Sequence, residues 1–322
     1  MKSTRTIVVV AVAIFAAVAI AVIVRSTFDR TNLNRGKKLR IGYVVTTLSN
    51  PFFVEMANGA REAIRELPDA EVVVQAPEQA ADNERQIQIV ENLIVQRVDA
   101  ICVVPADSKS IAVAVAKANN ARIPVINVDN RMDASSLTAN NATVAGFVGS
   151  DNASGGKVAG EYVIEKLKGK GKVAILEGVS GVEAGAQRKA GFMEALKSAP
   201  GIHVVASQPA DWSREKGLNV FQGIYQAHPD LAALFACNDE MALGAIRALP
   251  QPRKVVVVGF DATKDAIEAI QLGQMDATVA QVPREMGRIA VGMAIKAARG
   301  EQVDREQATP LKLVTKDGKG SE

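Results

Sequence analysis

The chain has 322 residues, a net charge of +3, 48% apolar side chains, two histidines and two cysteines; this excludes a disordered chain or a disulfide-stapled miniprotein and leaves enough core for two lobes. The positive balance belongs to the N-terminus, where Lys2, Arg5, Arg25, Arg30, Arg35, Lys37 and Lys38 stand against Asp29 alone, a surplus of six that puts the remainder at −3. A mildly acidic body without a Lys/Arg cluster offers no footprint for phosphate backbones, which argues against nucleic acid as a partner.

The first element is an unbroken apolar run of 18 residues, Ile7 to Val24, behind Lys2 and Arg5 and followed by a polar stretch to Lys38. This is an export signal or an N-terminal membrane anchor with its linker, residues 1–38. Neither cysteine lies near it, so a lipid-modified N-terminal cysteine is excluded.

From Leu39 onward short β-branched runs alternate with segments of helical period, the pattern of repeated βα units on parallel sheets. Strands are predicted at Leu39–Val45, Glu71–Gln75, Ala100–Val104 and Val125–Val128. Further strands are predicted at Lys172–Leu176, Val204–Ser207, Ala232–Ala236, Lys254–Val258 and Thr278–Gln281. In the helix predicted over Glu84 to Arg97, Ile87, Val90, Leu93 and Ile94 share one face. The run Val255 to Val258 keeps no polar alternation, as expected where helices cover both faces of a sheet. Cys102 and Cys237 lie in apolar runs of different halves and read as unpaired, buried residues.

So many strands exceed one comfortable sheet, which predicts two doubly wound α/β lobes. Residues 39–150 start the first and residues 151–281 the second. The helix predicted over Glu285 to Arg299 then returns to the first lobe, so that residues 282–309 belong there and 310–316 to the second, before a polar tail at 317–322. Several crossings between lobes make a hinge.

In open parallel sheets ligands collect beyond the carboxyl ends of the strands. The polar and aromatic residues at those positions are Asn50, Phe52 and Phe53 after the first strand, and Asp129, Asn130 and Arg131 after the fourth. Later in the chain they are Trp212, Asn238, Phe260, Asp261 and Gln281, with Arg188 at the start of a helical region. Planar amides, carboxylates and guanidinium groups grip neighbouring sugar hydroxyls in pairs, and aromatic faces cover the apolar faces of a sugar ring. Aromatic residues make up only 4% of the chain, yet four of them fall at these strand ends. Each position also has a plainer reading. Asn50 and Asn238 are good helix caps, Asp129 and Asn130 suit turns, Asp261 suits a cap, Arg188 a solvated helix face and Trp212 a loop anchor.

Catalytic constellations are missing from the pattern. His203 lies in an apolar run and His228 in a His-Pro-Asp turn, which supports neither a metal pair nor a nucleophile triad. Gly178, Gly181 and Gly185 miss the dinucleotide spacing, and no phosphate-binding loop is present. A binding protein without cofactor or metal is expected rather than an enzyme.

Several strings resemble the ribose-binding proteins and their relatives among type I periplasmic binding proteins: TLSNPFF, SQPADW, KGLNVFQ, AHPD, NDEMALGAIRAL, VVGFD and ATVAQVP, in family order from Leu39 to Val314. The resemblance implies two Rossmann-like lobes joined by three hinge strands, with a monosaccharide in the cleft. It also implies that the closed form is presented to an ABC permease in the inner membrane. A monomer is expected, and the alternative is a tethered sensor feeding a chemoreceptor or kinase, which retention of Ile7 to Val24 on the mature protein favours. The resemblance further implies that Asn50, Phe52, Phe53, Asp129, Arg188, Trp212, Asn238, Phe260, Asp261 and Gln281 line the site. One departure stands out: the family's Asp-Arg pair reads Asp129-Asn130 here, with Arg131 displaced by one position, which bears on which sugar is preferred.

Overall fold

The computed structural model describes residues 38–65, 67–250 and 252–318. The apolar run Ile7 to Val24 lies outside them, and among the described residues no helix is long and apolar enough to cross a membrane.

Two six-stranded sheets organise the chain from Arg40 onward, which forms one compact unit. The first part of the chain alternates β1 (Leu39–Val44), α1 (Pro51–Arg65), β2 (Ala70–Gln75), α2 (Asn83–Val95), β3 (Ala100–Val103), α3 (Ala112–Asn120), β4 (Val125–Val128), α4 (Ala134–Ala139) and β5 (Gly146–Ser150). The second follows with α5 (Asn152–Leu167), β6 (Lys170–Glu177), α6 (Glu183–Leu196), β7 (Gly201–Pro209), α7 (Arg214–Ala227) and β8 (Leu231–Ala236). It is completed by α8 (Asp239–Ile246), β9 (Val256–Asp261), α9 (Lys264–Gln271) and β10 (Ala277–Ala280). Then α10 (Pro283–Ala298) and β11 (Glu306–Thr309) return to the first sheet and β12 (Lys312–Thr315) to the second.

The strand orders are β11-β5-β4-β3-β1-β2 and β12-β10-β9-β8-β6-β7. The pairs β1 with β3, β3 with β4, β4 with β5 and β5 with β11 are parallel, as are β6 with β7 and β8, β8 with β9, and β9 with β10, whereas β12 runs antiparallel beside β10. The chain therefore passes between the sheets three times, at residues 150–152, 281–283 and 309–311. Two of these passages are tied together where the Ser150 and Thr309 hydroxyls lie 3.0 Å apart.

Each sheet buries its strands under helices on both faces, with a large apolar cluster in the second lobe and another on one face of the first. Cys102 and Cys237 are free and buried in different lobes, as their apolar contexts imply. Three strands escaped the sequence reading. The run Gly146-Phe147-Val148-Gly149-Ser150 is mostly glycine and serine, while β11 and β12 are four-residue edge strands in which Glu, Gln and Lys interrupt the apolar pattern, so none stands out as an apolar β-branched run.

The two lobes repeat one packing device. Helices α1 and α10 approach so closely that a Cβ on Gly59 would lie 1.8 Å from the Arg284 carbonyl, and one on Gly287 2.0 Å from that of Met56. In the second lobe α5 meets α6 in the same way: a Cβ on Gly156 would lie 1.9 Å from the Arg188 carbonyl, and one on Gly191 1.9 Å from that of Ala153. Backbone cannot yield as a side chain does, so Gly156→Ala is expected to lower stability by about 1–3 kcal/mol through overpacking. Gly292→Ala is the control, because nothing lies within 4 Å of its Cβ position, and removing a mid-helix glycine stabilises by roughly 0.5–1 kcal/mol. Urea midpoints moving in opposite directions for the two variants confirm the close contact; a neutral Gly156→Ala refutes it.

Candidate functional site

The carboxyl ends of both sheets face a common cleft, and the loops there carry the polar residues singled out in the sequence. In the first lobe Asn50 caps α1, its Oδ1 accepting from the Phe52 N–H at 2.9 Å, while Pro51 occupies the first helical position. The cap fixes the two rings that follow, Phe52 and Phe53, edge to face with centroids 5.2 Å apart. Asp129, just after β4, sits in the left-handed region at φ 59° and is anchored through its N–H to the Val148 carbonyl, 2.8 Å. Such a conformation disfavours a residue with a Cβ and is held here by the neighbouring strand. Beside it the Asn130 amide donates to the Pro105 carbonyl at 2.9 Å.

The second lobe contributes Arg188 from α6, Trp212 from the loop after β7, Asn238 as the cap of α8 and Asp261 at the end of β9. Arg188 is 4% exposed, and its guanidinium is held from several sides. Nε donates to Asn152 Oδ1 at 2.8 Å, Nη1 donates to the Cys237 carbonyl at 2.8 Å and stands 3.4 Å from Asp261 Oδ1, and the group lies 3.9 Å over the Phe260 ring centroid. This is the planar fork of arginine used as a fixed strut. Gln281 donates to Asp261 Oδ1 at 2.8 Å, and Trp212 packs over Gly178 so tightly that a Cβ there would lie 1.9 Å from the indole.

Between the lobes these side chains line a common cavity. Asn50, Phe52, Phe53, Asp129 and Asn130 line it from one lobe, and Arg188, Trp212, Asn238 and Asp261 from the other. Three sequence candidates are not among the lining residues. Phe260 is fully buried under Arg188, and Gln281 acts through Asp261. Arg131 is turned away from the cavity: its guanidinium lies over the Phe147 ring at 3.8 Å and pairs with Glu306 on the edge strand β11. The cation displaced by one position in the sequence is thus spent on the outside of the first sheet.

The lining also includes Thr46, Ala80, Ala106, Val182 and Ala184, small residues that no chemical pattern flags. Asn152, which orients Arg188, was missed with the strand that precedes it; once β5 is recognised, its position beyond a strand end marks it.

Electrostatically the cavity is short of cations. Burial pushes the Asp129 carboxyl up to about 6, with Arg188 pulling the other way. Burial likewise raises Asp261, against the opposing pull of Arg188 and of the Gln281 hydrogen bond. Asp239, behind Asp261, is raised by burial and then by its neighbour's charge, although it accepts from the Thr263 N–H at 2.7 Å and the Thr278 hydroxyl at 2.6 Å. Asp129 Oδ1, Thr46 Oγ1 and Gln281 Oε1 are buried with no partner among the described residues. Unpaired buried acceptors are costly, and Asp129 and Thr46 line the cavity.

Comparison with known proteins gives a consistent result. Residues 41–302 match a family model described as a periplasmic binding protein domain. The chain is 41% identical to the ribose import binding protein of Escherichia coli over 285 residues, 88% of this chain and 93% of that protein. It is 39% identical to the D-ribose/D-allose-binding protein of Pseudomonas aeruginosa, covering 87% and 89% of the two. Among solved structures, a periplasmic solute-binding protein from Actinobacillus succinogenes with bound D-allose superposes with a TM-score of 0.82 at 37% identity, covering 87% of this chain and 99% of that one. One from Bacillus halodurans with bound myo-inositol does so at 0.80 and 32%, covering 87% and 96%.

Proposed function

Because this chain belongs to the periplasmic binding protein domain family, we propose that it is the extracytoplasmic substrate-binding component of an ABC-type importer, closing around one monosaccharide or related polyol. The observation that carries this reading is the cavity itself, where flat hydrogen-bonding groups and aromatic faces from two separate sheets converge. Asn50, Asp129 and Asn130 face Arg188, Asn238 and Asp261 across it, with Phe52, Phe53 and Trp212 supplying the apolar walls. Hydroxyls that both donate and accept suit such a mixture, and a ring with apolar faces suits the plates. No covalent chemistry is required, since the side chains are arranged to hold.

A sugar resting on one lobe recruits the polar groups of the other, so that closure adds hydrogen bonds and the closed form becomes the dominant population. That form is handed, as a monomer, to a membrane permease, and residues 7–24 direct or tether the protein at the inner membrane. The Asp129-Asn130 pair, with Arg131 engaged elsewhere, sets which pentose, hexose or polyol fits.

Thermal unfolding of the protein against D-ribose, D-allose, D-arabinose, D-fucose and myo-inositol tests the reading. A ligand present at about one hundred times its Kd stabilises the folded state by about 2.7 kcal/mol. At least one of the five is expected to raise the melting temperature by several degrees, whereas leucine and glutamate are not. A flat response to all five sugars, or an equal response to the amino acids, removes the proposal.

A further inference from the structure

Helix α6 carries Arg188, yet it begins without a cap of its own. Its N-cap residue, Val182, makes no side-chain hydrogen bond to the first turn, although the opening N–H groups of any helix need acceptors from outside it. The missing acceptor comes from the other lobe: the Glu183 N–H donates to Ser108 Oγ at 3.2 Å. A second bond runs beside it, from the Ser108 N–H to the Gly181 carbonyl at 3.1 Å. Ser108 is 5% exposed, set between a half-buried Glu183 and an exposed Gly181.

The loop that offers Ser108 is held firmly in the first lobe. Asp107 Oδ1 accepts from the Lys109 N–H at 3.0 Å and the Ser110 N–H at 2.6 Å, while the Ser108 carbonyl accepts from the Asp133 N–H at 2.8 Å. On the receiving side, the residues flanking Glu183, Val182 and Ala184, both line the cavity. The junction therefore joins the lobes directly, without a ligand atom between them, at the helix end that positions the site's cation.

We propose that Ser108 is a cap supplied in trans, which completes helix α6 only when the lobes close and so couples closure to the placement of Arg188. Ser108 is a positioning residue: it strengthens sugar binding through α6. The inference rests on the reading of the cavity as a sugar clamp.

The test compares Ser108→Ala, Ser108→Val and Ser108→Thr with the unchanged chain, using whichever of D-ribose, D-allose, D-arabinose, D-fucose or myo-inositol binds most tightly. Thr keeps a hydroxyl where the nearly isosteric Val has a methyl. The Ala and Val variants are expected to bind roughly two- to thirtyfold more weakly, the span seen when a capping residue is lost, with the change in the dissociation rate. The Thr variant is expected to stay close to the parent. Sugar-free melting temperatures are expected to be equal, because the open form lacks the bond. Amide exchange at residues 183–186 is expected to slow on adding sugar in the parent and the Thr variant, and not in the other two. Parent-like affinity in the Ala and Val variants, or equal weakening by Thr and Val, overturns the inference alone. If the parent itself binds none of the five, the reading of the cavity fails and this inference with it.

Discussion

Arg188→Ala is expected to weaken sugar binding by about 2–4 kcal/mol, roughly 30- to 900-fold in Kd, the cost of deleting a buried charged partner. The magnitude follows from what the guanidinium does. It is a single rigid group shared by Asn152, the Cys237 carbonyl and Asp261, and it rests on the Phe260 ring. Removing it takes a charged donor from the cavity wall, and it also leaves Asp261 without its cation and the Cys237 carbonyl without its donor. Arg188→Lys keeps the charge but not the fork, so it is expected to recover only part of the loss. Titration calorimetry of both variants decides the matter: near-parental affinity in Arg188→Ala takes this residue out of the binding site.

Asp129→Asn is expected to separate closure from binding. The carboxyl is 4% exposed and one of its oxygens has no partner; burial raises it to about 6, opposed by Arg188. A carboxyl that holds its proton more tightly in this closed arrangement than in water favours the arrangement fully below about pH 4, and that contribution is lost as pH rises through about 6. Above pH 6 the closed form without sugar therefore carries a buried charge costing about 1–3 kcal/mol, which the neutral amide in the variant does not impose. Small-angle scattering of the sugar-free proteins is expected to show the variant more closed than the parent at pH 8 and equal to it near pH 4. Sugar binding moves the other way, because an amide offers one acceptor where the carboxylate offers two charged ones, and a loss of at least about tenfold is expected. A variant no more closed than the parent at pH 8, or one that binds equally well, contradicts this assignment of Asp129 as an acceptor kept unpaired for the ligand.

Much of this architecture is legible in the sequence because both lobes are built from apolar strands under amphipathic helices. Runs such as Ala100 to Val103 and Val125 to Val128 admit few other readings once the intervening segments show helical period. The strands that escaped are those with other work to do. Gly146 and Gly149 in β5 leave no room for side chains: a Cβ on Gly146 would lie 2.5 Å from Met293, and one on Gly149 2.5 Å from Phe147. The edge strands β11 and β12 carry the polar residues that edges require.

The candidate site was legible for a related reason, since planar polar residues directly beyond strand ends have no packing role in a parallel sheet. Asn50 and Asn238 are both caps and lining residues, so the plainer reading and the functional one hold together. What the sequence could not convey is direction. Arg131 and Asn130 are adjacent, yet one turns out toward Phe147 and Glu306 and the other toward the cavity, in the bend that follows the left-handed Asp129. Contacts across the cleft, such as Ser108 with Glu183, are set by how the lobes meet, and no local pattern encodes them.

The decisive measurement is a crystal structure of the protein with the tightest-binding member of the sugar panel. One ring is expected between Phe52, Phe53 and Trp212, hydrogen-bonded to Asn50 and Asp129 on one side and to Arg188, Asn238 and Asp261 on the other. A sugar held by one lobe alone, or bound anywhere else on the molecule, contradicts it.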